Sequence, residues 1–152
     1  SMGGYVALKC ALLHPEKIGK IITLGTKFDW TPASASKEVK LLNPRTIEEK
    51  IPKFAQKLKE EHAPLDWKDV MQKTARMMLE LGNGELISDG DLEKIKHSVV
   101  IARGTQDAMV SKEESELTVQ KIPNSIYLEL VNGQHPIEKI DMTQLVSLIN
   151  EN

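Results

Sequence analysis

Residues 99–131 read VVIARGTQDAMVSKEESELTVQKIPNSIYLELV, and this stretch decides the fold. Val99 to Ala102 is a short β-branched run with no polar member, the pattern of a strand buried on both faces. Arg103 to Val110 reads as the loop leaving its C-terminal end. Ser111 and Glu114 have capping-box spacing, which predicts a helix reaching about Ile122. Pro123 and Asn124 turn the chain, and Ser125 to Val131 alternates into another strand. Strand, helix, strand with a short link on each side is the crossover unit of a parallel sheet.

The flanking sequence extends that unit. Upstream, Lys20 to Leu24 is a second β-branched run, set between Gly19 and Gly25, and Met2 to His14 is rich in small and apolar residues until Pro15 stops it. A largely buried helix followed by a strand is expected there. Downstream, Asn132 to Pro136 reads as a loop, and Ile137 to Ile149 has the spacing of a final amphipathic helix. Between Asp29 and Gly90 the β-branched runs vanish and helical periodicity takes over. Thr46 with Glu49 suggests a capping box, Ile47, Ile51, Phe54 and Leu58 recur at helical spacing, and Pro52 should kink or restart that helix. Trp67, Val70, Met71, Thr74, Met78 and Leu81 share one face of a second helix ended by Gly82-Asn83-Gly84. A short helical turn is expected near Asp91 to Ile95. The whole is an α/β chain with a helical insertion at about 30–90.

Composition narrows the function. The chain has 152 residues, a net charge of −2 and 40% hydrophobic content, with Lys and Glu mixed rather than blocked. Nucleic acid and anionic membrane are poor partners for such a surface, because phosphate binding needs concentrated positive charge. Cys10 is the single cysteine, so there is no internal disulfide, and no Cys/His set has zinc-ligand spacing. A reducing, cytoplasmic setting is the expectation. No signal peptide or membrane-length apolar run is visible.

Ligands in open α/β sheets gather at the C-terminal ends of strands. Two such loops and the chain start carry reactive side chains. Ser1-Met2-Gly3-Gly4 runs straight into a helix, Gly104-Thr105-Gln106-Asp107 follows the Val99 strand, and Gln134-His135-Pro136 follows the last strand. The first resembles the second half of the nucleophile elbow of α/β-hydrolases, most closely its G-H-S-M-G-G form without the first two residues. The second resembles the segment that bears the acid of their catalytic triad, and the third resembles their histidine loop. Ser, Asp and His come in that family's chain order.

The resemblance covers essentially the whole chain, with the insertion placed like the family's cap domain. It implies the C-terminal portion of an α/β-hydrolase parallel sheet, beginning at the nucleophile. It further implies a serine hydrolase that cleaves a small carboxylic ester, or a related acyl substrate, through an acyl-enzyme. Ser1 would be the nucleophile, His135 the general base and then acid, Asp107 its orienting partner, and the Met2 backbone N–H one oxyanion donor. Gly3 would permit close packing of the helix. No cofactor is implied. A dehalogenase is disfavoured, since that branch has Asp where this chain has Ser1. Thioesters, amides, C–C bonds and perhydrolysis all remain within the family's range.

Plainer readings stand beside these. Ser1 also fits a residue left by an expression tag, and Asp107 and His135 also fit a loop cap and a backbone-bonding histidine. His14 suits the end of a helix dipole, His62 and His97 the surface, Cys10 a small core position, and Lys50, Lys53, Lys57 and Lys59 a solvated face. Met71 and Met78 are packing residues first and substrate-pocket candidates second. As a rival function, the chain is a non-catalytic fragment or binding module that lacks the N-terminal half of the fold. On either reading it is expected to be inactive alone, to associate through exposed apolar surface, and to need that missing half as its partner; homo-oligomerisation stays open.

Overall fold

A computed structural model describes residues 1–84 and 86–152. Within it the chain folds as two units, one made of residues 1–28 with 87–152 and the other of residues 29–86.

The first unit is a three-stranded, fully parallel sheet of β1 (Ile21–Leu24), β2 (Val99–Gly104) and β3 (Ser125–Leu130), in that spatial order. β2 lies in the middle because its first four residues are apolar and buried on both faces, as a central parallel strand requires. Its residues alternate between two cores. Val99 and Ile101 join Ile21 of β1 under α1 (Met2–Leu13) and α7 (Lys112–Lys121), together with Leu8, Ala11, Ile95 and Ile122. Val100 and Ala102 face the other way, onto Leu145 and Leu148 of α8 (Met142–Asn150) and Ile140. The strand ends at Gly104, two residues later than its apolar run suggested, because Arg103 and Gly104 pair with Glu129 and Leu130 of β3.

Two expectations for this unit are corrected. Only Leu8 and Ala11 of α1 are buried, while Met2, Val6 and Leu13 are exposed, because one side of the helix packs on β1. The last helix is shorter than its periodicity implied. A single 3-10 turn occupies Ile137–Lys139, and α8 starts only after Asp141, whose carboxylate accepts from the Gln144 N–H. The Ser111–Glu114 box forms as expected, with Ser111 Oγ accepting from Glu114 N–H at 3.1 Å and Glu114 reaching back to Ser111 N–H at 3.3 Å. Glu114 also accepts from Phe28 N–H at 3.0 Å. Tyr5 of α1 touches both residues that border the other unit: its ring lies 6.5 Å from that of Phe28, and its Oη accepts from Ile87 N–H at 2.7 Å. The short helix α6 (Asp89–Leu92) begins slightly earlier than expected, capped by Ser88.

Among the described residues the regular elements of the second unit are helices: α2 (Pro32–Val39), α3 (Pro44–Lys50), α4 (Pro52–His62) and α5 (Trp67–Gly82), with a 3-10 turn at Lys40–Leu42. Ile47, Ala55, Leu58 and Trp67 form its core, with Met71 packed against them. Pro52 restarts the helix, as its missing N–H dictates. Ile51 and Phe54, which share the periodicity of Ile47 and Leu58, are nonetheless exposed. The Thr46–Glu49 box does not form, because Asn43 takes the capping position and accepts from Thr46 N–H at 3.0 Å. Thr31, by contrast, makes a reciprocal cap with Ser34 that opens α2.

Candidate active site

The C-terminal ends of the three strands bring Ser1, Asp107 and His135 to one place. Gly25 N–H donates to Ala102 O at 2.9 Å, which carries the β1–β2 ladder one residue past β1. The chain leaves β2 at Gly104 and closes a tight turn in which Asp107 N–H donates to Gly104 O at 3.0 Å. The loop after β3 is tied to this turn at several points. Thr105 N–H donates to Leu130 O and Gln106 N–H to Gly133 O, both at 2.9 Å, while Asn132 N–H donates to Thr105 Oγ1 at 2.8 Å. Gly104 and Gly133 make that approach possible: a Cβ on Gly104 would lie 2.2 Å from Gly133 O. The acid and histidine loops therefore form one hydrogen-bonded body, although 28 residues separate Asp107 from His135.

Within that body the imidazole sits between two oxygens. His135 Nδ1 is 3.0 Å from Asp107 Oδ2 and 3.2 Å from Oδ1, and Nε2 is 3.1 Å from Ser1 Oγ. The carboxylate only accepts, so Nδ1 carries the proton and Nε2 presents its lone pair to the serine hydroxyl. The Asp107 side chain is 1% exposed and that of His135 17% exposed. Such a carboxylate must be fully bonded. Oδ1 accepts from Met109 N–H at 2.8 Å and Val110 N–H at 3.0 Å, leaving Oδ2 for the imidazole.

Ser1 stands at the N-cap of α1 and is held from the β1 side. Its amino nitrogen donates to Leu24 O, and its carbonyl accepts from Thr26 Oγ at 2.8 Å and Gly4 N–H at 3.1 Å. Met2 is the first residue of α1, where an N–H has no intrahelical acceptor and faces the positive end of the helix dipole. The close helix packing expected of Gly3 belongs to its neighbour. A Cβ on Gly3 meets nothing within 4 Å, whereas one on Gly4 would lie 2.2 Å from Thr26 Oγ1 and 2.8 Å from Thr23 Cβ. It is Gly4 that lets α1 lie against β1.

Two residues of this site were not picked out from the sequence as more than punctuation. Gly25 has φ of +54°, a conformation that glycine tolerates and other residues resist. Its missing side chain leaves room for the dyad, since a Cβ there would be 2.9 Å from Asp107 Oδ2 and 3.4 Å from His135 Nδ1. Arg103 clasps the acid loop, with Nε donating to Val110 O at 2.6 Å and Nη2 to Asp107 O at 3.0 Å. A glycine placed directly after a buried strand was the available signal for the first; nothing local marks the second.

The remaining candidates fall elsewhere. Met71 and Met78 lie in the helical unit, both half-buried, and Met71 is accounted for by that unit's own core. His14 is exposed at the C-cap of α1. His62 and His97 are half-buried rather than on the open surface; Nε2 of His97 donates to Pro15 O at 3.0 Å. Cys10 is half-buried, and Lys50, Lys53, Lys57 and Lys59 are exposed. Among the described residues no group of three or more His, Cys, Asp or Glu side chains is placed to hold a metal ion, and no helix is long and apolar enough to cross a membrane.

Comparison with known proteins gives one kind of match. No protein-family model and no curated protein matches the sequence. Solved structures do. A thermophilic esterase from Thermogutta terrifontis superposes with a TM-score of 0.66 at 21% identity, over 99% of this chain and 61% of its own. An alpha/beta hydrolase enzyme from a Medee basin deep-sea metagenome library gives 0.67 at 16% identity, over 98% and 61%. The enol-lactonase from Burkholderia xenovorans LB400 gives 0.63 at 19% identity, over 98% and 63%. This chain thus spans about three fifths of the length of the structures it matches.

Proposed function

We propose that this chain, whose fold is that of the α/β-hydrolases, carries the nucleophile, base and acid of a serine hydrolase acting on small carboxylic esters or related acyl compounds. One observation carries the reading: the His135 ring, with Nδ1 on a buried carboxylate and Nε2 on a serine hydroxyl. A hydroxyl is a poor nucleophile until a neighbouring imidazole takes its proton, and the carboxylate both fixes the ring's tautomer and stabilises its charged form.

In this mechanism Ser1 Oγ attacks the substrate carbonyl carbon while its proton moves to His135 Nε2. The carbonyl oxygen becomes a tetrahedral oxyanion, for which the Met2 N–H at the start of α1 is one donor. Collapse of that intermediate expels the alcohol, which takes the proton from Nε2 and leaves an acyl group on Ser1. Water then repeats the sequence, His135 again removing and returning a proton, and releases the acid. Asp107 holds the ring throughout, its second oxygen anchored on the Met109 and Val110 amides. Esterase and lactonase neighbours fit a substrate of this class.

The test, on the whole protein, is labelling by a fluorophosphonate probe together with hydrolysis of p-nitrophenyl butyrate by the wild type and its His135→Ala variant. Ser1 should be the labelled residue, and the variant should lose at least about 10⁴-fold in kcat with its fold retained. Comparable turnover in the variant, or a label on another serine, would sink this assignment.

A further inference from the structure

The Asp107 carboxylate owes its aim to the backbone of residues 107–110, since two amides of that loop hold Oδ1 and thereby turn Oδ2 toward His135. Besides the Asp107 N–H bond to Gly104 O and the ties of Thr105 and Gln106 to the loop after β3, a buried guanidinium holds the loop. Arg103, on the last turn of pleat in β2, spans the loop from one end to the other by donating to the carbonyls of Val110 and Asp107. Its side chain is 11% exposed, so these charge-assisted bonds are little screened by water. Glu129, its register partner on β3, lies 3.7 Å from Nη1 and in turn accepts from Tyr127 Oη at 2.9 Å. The arginine is thus fixed on its far side by the sheet and grips the loop with its near side. An ammonium has no such fork, and one Nζ cannot meet both carbonyls in the same geometry.

We propose that Arg103 is a positioning residue for the proposed reaction, one that sets the Asp107–His135 geometry without touching substrate; the inference rests on the serine-hydrolase reading above. Loss of the guanidinium frees the loop, Oδ2 drifts from Nδ1, and the imidazole loses its orientation. Substrate binding is untouched, so kcat bears the loss.

Arg103→Met keeps the apolar stem and removes both bonds. In the whole protein we expect kcat, normalised to sites titrated by fluorophosphonate, to fall about 10- to 100-fold, with KM within about twofold. The downfield proton resonance of His135 Nδ1–H should shift or broaden in the variant. Arg103→Lys, which retains the charge on one donor nitrogen, should fall between the two. Lys121→Met, which breaks a surface pair with Asp89 at 2.7 Å, should leave kcat and the resonance as they are. If Arg103→Met does not fold, Arg103→Lys decides alone: lowered kcat with a moved resonance supports the proposal. Wild-type kcat and an unmoved resonance in the folded variants overturn it. A wild-type protein that neither labels nor turns over would defeat the hydrolase reading instead, and the resonance would still judge Arg103.

Discussion

Gly25→Ala places a methyl group against the two side chains that activate the serine. The structure gives the size of the collision. The new Cβ would lie 2.9 Å from Asp107 Oδ2, where ordinary contact begins at 3.4 Å, and 3.4 and 3.5 Å from His135 Nδ1 and Cε1. Relief requires a movement of about 0.5 Å. The carboxylate has nowhere to go, because it is buried and its other oxygen is held by two amides. A displacement of that size takes the Nδ1–Oδ2 separation from 3.0 Å to the edge of hydrogen bonding. Alanine also resists a φ of +54°, at about 1–2 kcal/mol, and overpacking adds roughly 1–3 kcal/mol. We therefore expect a stability loss of about 2–5 kcal/mol, or a drop of roughly 5–20 °C in Tm for a chain of this size, and a loss of kcat of about 10²-fold. Calorimetry and ester hydrolysis read the two effects separately. If Gly25→Ala melts with the wild type and turns over within threefold of it, the contact between Gly25 and the dyad is not what the geometry says.

Gly104→Ala should be costlier in stability than Gly25→Ala, at about 5 kcal/mol or more, because its Cβ meets Gly133 backbone atoms at 2.2 and 2.4 Å, and neither loop can yield without parting from the other; urea denaturation checks this, and an unchanged midpoint refutes it. The chain's two tyrosines should both ionise later than free tyrosine. Burial pushes the Tyr5 phenol up, and burial followed by the Glu129 carboxylate pushes Tyr127 up to about 12. Since the folded state favours the neutral phenol, the Tyr127 contribution is complete below pH 10 and is lost as pH rises through about 12. Ultraviolet titration of the folded protein should show Tyr127 ionising only near pH 12 and Tyr5 above the free phenol.

What could be read from the sequence was what is local. The Ser111–Glu114 box needed only residues three apart, and the Val99 run announced a central strand by composition. Ser1, Asp107 and His135 could be singled out because the first opens a helix and the other two follow strands, so chain order stood in for geometry. The failures were competitions or contacts through space. Thr46 lost its capping role to Asn43, which is followed by Pro44 at the first helical position. Thr31 was overlooked because its reciprocal partner is Ser34 rather than a glutamate. Asp141 divides a periodic stretch that hydrophobic spacing alone treats as continuous. Gly3 and Gly4 are interchangeable in a string and differ only in what faces them, as do Gly25 and any other glycine that ends a strand. Arg103 was assigned to the loop it holds, since nothing before folding distinguishes a clasp from a surface charge.

Tyr5 meets Phe28 with its ring and Ile87 with its hydroxyl oxygen. One side chain thereby fixes both the point where the main chain departs from the sheet unit and the point where it returns. Closing a loop of given ends costs entropy that rises only with the logarithm of its length, about 0.6 kcal/mol for each doubling. With the ends already fastened, residues 29–86 are a span whose length and sequence can change by insertion, deletion or wholesale exchange at little thermodynamic penalty to the strands that hold Ser1, Asp107 and His135. Selection can thus rewrite that span while the reactive side chains keep their relative positions.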